Sequence, residues 1–350
     1  MKEVQIDLDG FLELRKRISI LDARSEGEYE QSHIPGAINL PILNNEERKI
    51  IGTVYKQQGN QQAVFKGFEL VGPRFHSIIQ DALAIAPEKK VLIYCWRGGM
   101  RSEILSWLLG MAGFEVFRLR GGYKVYRAFT YKTIRKKRNF LTLGGKTGVG
   151  KTLLLKRLKE AGEDIIDLEF LAGHKGSTFG GIGMKPQPSI EQFENMLAEE
   201  FLKIPENVII WIENESRRIG KVILANELYA SIVNAPLVEI HKTIKQRISQ
   251  IKYEYASLPK VELISAVSRL QKKLGGLRTA ESIEAIQNNQ PELWINILLQ
   301  YYDKSYEFDL KKNPRDQIVE LDLGDEDLES SLTKLLAIKN KIQWKIKKSD

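Results

Sequence analysis

Eight residues near the middle of the chain, Gly145-Lys146-Thr147-Gly148-Val149-Gly150-Lys151-Thr152, constrain its fold more than any other feature. They match Gly-x4-Gly-Lys-Thr, a loop that works only when a strand delivers it and a helix leaves it. Both flanks fit: the apolar run Phe140-Leu141-Thr142-Leu143 precedes it, and Leu153-Leu154-Leu155 opens a helical pattern that stops at Gly162. Main-chain amides of Gly145, Lys146, Thr147, Gly148 and Gly150 would surround a diphosphate, Lys151 would neutralise it, and Thr152 would offer its hydroxyl to a magnesium ion. The motif specifies phosphate without naming a nucleotide or requiring one. A partner acid is expected at a neighbouring strand end. Glu213 and Glu215, behind Val208-Ile209-Ile210-Trp211-Ile212, are the candidates, and Arg217 and Arg218 follow within reach of phosphate oxygens.

A P-loop beginning at residue 145 leaves room for another domain before it, and 350 residues correspond to roughly two domains. The first 125 or so residues alternate short β-branched runs with helical stretches, the pattern of an α/β domain with a largely parallel sheet. Ile18–Arg24 and Val91–Cys95 read as buried strands, Ser102–Ala112 as a helix and Phe114–Leu119 as the next strand. In the second half Asn139–Leu143, Glu163–Leu168, Asn207–Glu213, Ala235–His241 and Gln317–Leu323 read as strands. Lys151–Ala161 reads as a helix, another opens at Ser189 with Gln192 completing a capping box, and Lys242 to Tyr302 is mostly helical. The expected division is 1–130 and 131–350. No apolar run approaches the ~18 residues of a membrane span, and the first residues lack a secretory pattern. A single cysteine leaves no disulfide framework and no disulfide-linked partner. A cytoplasmic protein with no membrane partner is expected.

That cysteine has unusual company. Cys95 follows Val91-Leu92-Ile93-Tyr94 and leads through Trp96-Arg97-Gly98-Gly99-Met100-Arg101-Ser102 into a helix. The carboxyl end of a parallel strand is where α/β sheets bind ligands. Gly98, Gly99 and Met100 would form an anion loop, the helix start adds partial positive charge, and Arg97 and Arg101 lie nearby; all of these favour thiolate over thiol. Cys95 therefore reads as a nucleophile. Cys95 to Arg101 is also Cys-x5-Arg, the spacing of Cys-dependent phosphatases, so the loop alone does not separate phosphatase from sulfurtransferase.

The domain around it resembles rhodaneses. Leu21-Asp22-Ala23-Arg24, Glu28-Tyr29 and His33-Ile34-Pro35-Gly36-Ala37-Ile38-Asn39-Leu40 resemble the N-terminal rhodanese signature, and Gly113-Phe114-Glu115-Val116 through Leu119-Arg120-Gly121-Gly122 the C-terminal one. Asp22, Arg24 and His33 read as framework. The loop is one residue longer than in many rhodaneses, which suits a tetrahedral anion.

Formal net charge is +8, and its distribution says more than its size. Arg118 to Arg138 carries nine basic residues and no acid, with Tyr123, Tyr126, Phe129 and Tyr131 between them. Arg127, Arg135, Lys136, Lys137 and Arg138 are candidate nucleic-acid contacts, with tyrosines offered for stacking on unpaired bases. Lys339, Lys341, Lys345, Lys347 and Lys348 add a basic tail. The stretch Glu169 to Pro188 has five glycines and no periodicity, and loops that long are usually functional or disordered. His174, Lys175 and Ser177 within it are candidate substrate contacts.

Taken in order, Tyr-Cys-Trp-Arg-Gly-Gly-Met-Arg-Ser and Gly-Gly-Lys-Thr-Gly-Val-Gly-Lys-Thr resemble the tRNA 2-selenouridine synthase family. The likeness extends to Leu171–Gly180, Glu213–Gly220 and Lys273-Leu274-Gly275-Gly276; a departure is Asn214, where an unbroken acidic run is expected. The resemblance implies a rhodanese-like α/β domain followed by a P-loop NTPase-like α/β domain with a helical C-terminal part. It implies exchange of sulfur for selenium in the wobble 2-thiouridine of bacterial tRNA. Geranyl diphosphate first alkylates the sulfur, and selenophosphate then displaces geranylthiol, with Cys95 taking selenium as a selenenylsulfide that an external thiol or geranylthiol releases. No tightly bound cofactor is implied; geranyl diphosphate and selenophosphate are the co-substrates, magnesium at Thr152 is the candidate metal, and the partners are tRNA and a selenophosphate-supplying enzyme. Two other readings stand beside it: a sulfurtransferase or Cys-x5-Arg phosphatase fused to an ATPase or kinase, and a non-catalytic RNA-binding adaptor.

Overall fold

The computed structural model describes residues 2–324 and 326–342. Lys345, Lys347 and Lys348 of the basic tail lie outside them. The chain forms two compact units, one running to Ile134 and taking in Glu191–Glu199, the other holding Arg135–Ile190 and the chain from Glu200 onward.

The first unit is built on a five-stranded sheet in the order Lys2–Ile6, Glu115–Leu119, Lys90–Tyr94, Ser19–Asp22, Ala37–Asn39, parallel throughout. Lys90–Tyr94 is its middle strand, and Val91, Leu92, Ile93 and Tyr94 are wholly buried because helices cover both faces. One face packs Leu21, Val91, Ile93 and Val116 against the helices Phe75–Ile85 and Met100–Met111; the other packs Ile20, Leu92 and Tyr94 against Phe11, Tyr123 and Tyr126.

Asp22 and Arg24 brace the strand ends, as the sequence led us to expect. They form a buried ion pair at 2.6 Å, Asp22 also accepts from the Tyr94 hydroxyl at 2.7 Å, and Arg24 donates to the Ser32 carbonyl at 2.7 Å. His33 stacks on Tyr29 with ring centroids 4.0 Å apart and its Nδ1 lies 2.9 Å from the Tyr29 carbonyl oxygen.

The segment Glu191–Glu199, from the helix Ile190–Lys203, completes this unit although the expected division at residue 130 placed it with the P-loop. Its carboxylates explain why. Glu199 accepts two hydrogen bonds from Arg15 (2.7 and 2.6 Å) and one from the Tyr126 hydroxyl, Glu191 accepts from the Tyr123 hydroxyl at 2.8 Å, and Asn195 donates to the His33 carbonyl at 3.0 Å. Buried tyrosine hydroxyls require partners, and this helix supplies them.

The second unit repeats the plan. Its parallel sheet runs Ile318–Asp322, Leu237–His241, Asn139–Gly145, Ile209–Glu213, Ile165–Ile166, again with the site-bearing strand in the middle. The expected strand Glu163–Leu168 shrinks to Ile165–Ile166, because Asp167 accepts from the Phe170 amide at 2.8 Å and starts the short helix Leu168–Ala172. Helices Ile244–Tyr255, Lys260–Arg269, Gly276–Gln287 and Pro291–Lys312 build a separate apolar cluster around Val267, Leu270, Trp294 and Leu298, the expected helical part. Among the described residues no helix is long and apolar enough to cross a membrane.

Replacing Arg24 by alanine leaves Asp22 buried and unpaired, so it should cost about 3–5 kcal/mol. Urea unfolding of the two proteins measures this; a loss below about 1 kcal/mol would remove the bracing role.

Candidate functional sites

Cys95 ends the middle strand of the first unit and is only 3% exposed. Its Sγ lies 3.2 Å from the Ser102 hydroxyl and 3.6 Å from the Gly99 carbonyl. The loop is clamped from outside: Tyr123 donates its amide to the Cys95 carbonyl (2.8 Å), Lys124 to that of Trp96 (3.0 Å), and Arg118 to that of Gly98 (2.5 Å). Gly122 makes the clamp sterically feasible. It has φ +60°, and a Cβ there would stand 2.3 Å from the Cys95 carbonyl oxygen. Among the described residues the amides of Trp96, Arg97 and Gly98 donate to no protein acceptor, which leaves them for an anion.

The two arginines are placed differently. Arg97 is exposed, while Arg101 is engaged by Glu28, whose carboxylate accepts at 2.5 and 3.3 Å. Arg101 and Arg48 together hold the Glu28 carboxyl below its ordinary value against the opposing effect of burial. What this loop presents to an anion is its own amides and the start of helix Met100–Met111.

The P-loop ends the middle strand of the second unit. Lys151 reaches back to the Gly145 carbonyl at 3.1 Å, the Tyr306 hydroxyl accepts from the Gly145 amide at 2.8 Å, and Arg247, itself paired with Asp303, donates to the Thr147 carbonyl at 2.8 Å. The amides of Lys146, Thr147, Gly148 and Gly150 have no protein acceptor among the described residues. The Lys146 side chain is drawn outward to Glu307 at 2.8 Å, so only its amide faces the loop.

Beside the loop three carboxylates converge. Oxygens of Glu169, Glu213 and Glu215 lie within 4.8 Å of one another, and the Thr152 hydroxyl donates to Glu213 at 3.0 Å and Glu169 at 3.3 Å. Glu213 is fully buried, and its second oxygen has no partner. Burial raises all three, and repulsion from neighbouring cluster acids adds to it for Glu169 and Glu213: Glu169 is pushed up to about 8, Glu213 goes well above its ordinary value, and Glu215 goes up through burial with a further push from Asp167. An all-oxygen set with one orphaned acceptor and a threonine hydroxyl fits a hard divalent cation such as magnesium. Asn214 takes no part. Its side-chain carbonyl accepts from Arg315, on the other side of the strand, so the break in the acidic run leaves the cluster intact.

Sequence reasoning missed Glu169. It stands in the short helix after Asp167, and its signal was a carboxylate opening an aperiodic glycine-rich segment. That segment is ordered over the cluster. Gly176 has φ +67°, and a Cβ there would stand 2.7 Å from Glu215 Oε2 and 2.9 Å from Glu169 Oε1. Phe179 anchors it, stacked on Trp294 at 6.1 Å, while Lys175 pairs with Glu254 at 3.1 Å and Ser177 accepts from the Phe179 amide at 3.2 Å. His174 is half-buried, its Nδ1 has no partner, and burial lowers its pKa. Arg217 and Arg218 are exposed.

The basic segment is mostly part of the framework. It forms the amphipathic helix Gly122–Arg135, whose buried face needs Tyr123 and Tyr126, so neither can stack on a base. Arg127 is bound to Glu194, and Arg138 is buried over the Phe201 ring; both are thereby removed as phosphate contacts. Arg135 pairs with Glu227 and Lys136 with Glu206, whereas Lys137 is exposed. In the tail, Lys339 pairs with Glu163.

The two sites define a chain in which a rhodanese-like domain carrying a cysteine precedes a P-loop domain carrying a carboxylate cluster. Residues 7–129 match the model of the rhodanese-like domain, and residues 138–330 match that of the tRNA 2-selenouridine synthase AAA domain. The tRNA 2-selenouridine synthase of Sulfurovum sp. is 33% identical over 330 residues, covering 84% of this chain and 89% of that protein. Those of Nitrosomonas europaea (32%; 81% and 86%) and Hydrogenovibrio crunogenus (34%; 85% and 90%) are similar over the same extent. The chain belongs to the tRNA 2-selenouridine synthase family.

The carboxylate cluster makes a pH prediction. In the folded protein without a cation, Glu169 keeps its proton up to about pH 8, whereas the unfolded chain releases it near the ordinary value of 4.5. Stability must then fall as pH rises through that interval. In chelator, Tm should drop between about pH 6 and about pH 8, Glu169→Gln should reduce the drop, and magnesium should restore most at the upper end. A flat Tm in chelator would refute it.

Proposed function

We propose that this protein exchanges sulfur for selenium in the wobble 2-thiouridine of tRNA, in two steps run by its two loops. The observation that carries the reading is the pairing of two anion-binding loops of different chemistry, each at the end of a middle strand. One offers a cysteine; the other offers a lysine, a threonine and a carboxylate cluster.

A thiocarbonyl sulfur is a poor leaving group, and alkylation makes it a good one. In the first step the P-loop amides and Lys151 hold the diphosphate of geranyl diphosphate and stabilise the charge that develops as it departs. The sulfur takes the geranyl carbon, the uridine gives up its ring N–H proton, and diphosphate leaves. Thr152, Glu169, Glu213 and Glu215 would hold a magnesium ion, whose charge would assist that departure. His174 and Lys175, beside this cluster, and exposed Arg217 and Arg218 are the candidate substrate contacts there.

In the second step selenophosphate supplies selenium at the selenide level, geranylthiol leaves, and water takes the phosphoryl group as phosphate. Electron counting bears on the role of Cys95. Moving selenium onto Cys95 as a selenenylsulfide would release phosphorus reduced, as phosphite, and would need a thiol to recover the selenium. The chain has no second cysteine to serve. If the Cys95 thiolate instead attacks the base carbon and expels geranylthiol, selenophosphate selenium can displace Cys95 with no redox partner. The loop amides would hold the tetrahedral anion for that displacement. Pairing of Arg101 with Glu28 weighs against the phosphatase alternative, which needs that arginine on the substrate. The reading makes tRNA the substrate and a selenophosphate-producing enzyme the partner.

Nucleoside mass spectrometry on 2-thiouridine tRNA separates the steps. Lys151→Ala should reduce geranylation by about a hundredfold or more, while Cys95→Ala should geranylate normally and form no selenouridine. Phosphorus NMR of the second step, run in thiol-free buffer, should show phosphate. Phosphite, or a strict thiol requirement, would return selenium to Cys95; no modified nucleoside with the unaltered protein would defeat the reading.

A further inference from the structure

The first unit holds a cavity that neither the cysteine chemistry nor the framework explains. It measures about 760 Å3, within the range of small-molecule sites, and lies between the helices Asn45–Gln58 and Asn60–Val71 and the start of helix Met100–Met111. Its wall is apolar, with Leu43, Ile51, Ala63, Val64, Val71 and Ile104, and Phe68 and Met100 remain exposed beside them. Met100 and Arg101 belong at once to this wall and to the Cys95 loop, so whatever fills the cavity borders that loop. Arg48, paired with Glu28, Lys49, paired with Glu46, and the exposed Lys56 lie on its rim.

Two glycines show that the space is kept open. Gly52 and Gly67 stand inside the two facing helices and line the cavity. Glycine within a helix costs stability relative to alanine and is retained for close packing or unusual backbone angles. Neither reason applies here. A Cβ at Gly52 would meet nothing within 4 Å, one at Gly67 would meet only Ile51 Cδ1 at 3.8 Å, and neither φ is positive. Their missing side chains add room.

We infer that this cavity seats the geranyl chain of the S-geranyl-2-thiouridine intermediate during the selenium step, with the exposed Lys56 taking a phosphate of the flanking tRNA. The inference rests on the two-step reading above and assigns a site to its second step. An apolar chain on a polyanion needs an apolar slot with a cation at its rim, and this cavity offers both beside the Cys95 loop. Seating the chain brings the base carbon to the Cys95 loop and gives the departing geranylthiol an apolar place to go.

The test uses pre-alkylated tRNA, so the first step is bypassed. The full-length protein and Gly52→Leu and Gly52→Ala variants are given selenophosphate with S-geranyl- or S-methyl-2-thiouridine tRNA. Leucine at position 52 fills the slot without a backbone clash, and alanine fills little of it. Expected is a loss of about tenfold or more in kcat/KM for the geranyl substrate in Gly52→Leu, with the S-methyl rate unchanged and Gly52→Ala near the unaltered protein. Equal losses on both substrates, or none on either, would overturn the inference. So would a Gly52→Leu protein that selenates geranylated tRNA normally but no longer geranylates 2-thiouridine tRNA, since the cavity would then hold the donor. If the unaltered protein selenates neither substrate, the two-step reading itself fails, a result distinct from those three.

Discussion

Three carboxylates drawn together beside a phosphate loop are an electrostatic debt that the protein alone does not discharge. Glu213 is fully buried with one oxygen unpartnered, and Glu169 and Glu215 crowd the same point. Like charges held this close stay protonated or gather around a cation. Much of the second unit is arranged to keep them there. The helix leaving the P-loop sets Thr152 against Glu213 and Glu169, the short helix after Asp167 delivers Glu169, and the glycine-rich segment passes so near that residue 176 has no room for a side chain. That segment is in turn pinned by Phe179 to the helical cluster. Lys151 partly offsets the cluster, as its lowering effect on all three acids indicates.

The Cys95 loop solves a different problem with the same architecture. It presents amides and a helix start, with Arg101 engaged by Glu28. A strand end that presents amides suits a tetrahedral anion, whereas a lysine and a carboxylate cluster suit a diphosphate with its metal. Placing the two chemistries on separate sheets lets each anion site be tuned without compromise.

What the sequence made legible was whatever depends on local pattern. The P-loop and the cysteine loop each sit where strand, glycines and helix said they would, since those geometries are written in contiguous residues. Parallel sheets followed from alternating strands and helices. What depended on distant partners was not legible. Arg101 looks free in sequence and is claimed by Glu28, 73 residues earlier. The tyrosines and arginines of the basic run look like a nucleic-acid face, yet Tyr123, Tyr126 and Arg127 serve a helix some 70 residues downstream. Glu169 looked like one acid among many until the fold carried it to Glu213.

That downstream helix has a consequence for how the chain is made. The first unit is discontinuous: everything to Ile134 is synthesised well before Glu191–Glu199 emerges. Until then Tyr123 and Tyr126 lack the carboxylates that accept their hydroxyl protons, and Arg15 lacks Glu199. Domains commonly fold in order as the ribosome delivers them. Here the amino-terminal domain must wait, incomplete, while the phosphate loop and its following helix are translated. Vectorial synthesis therefore couples the two units, since a nascent chain cut short before residue 199 carries the cysteine loop on an unfinished scaffold.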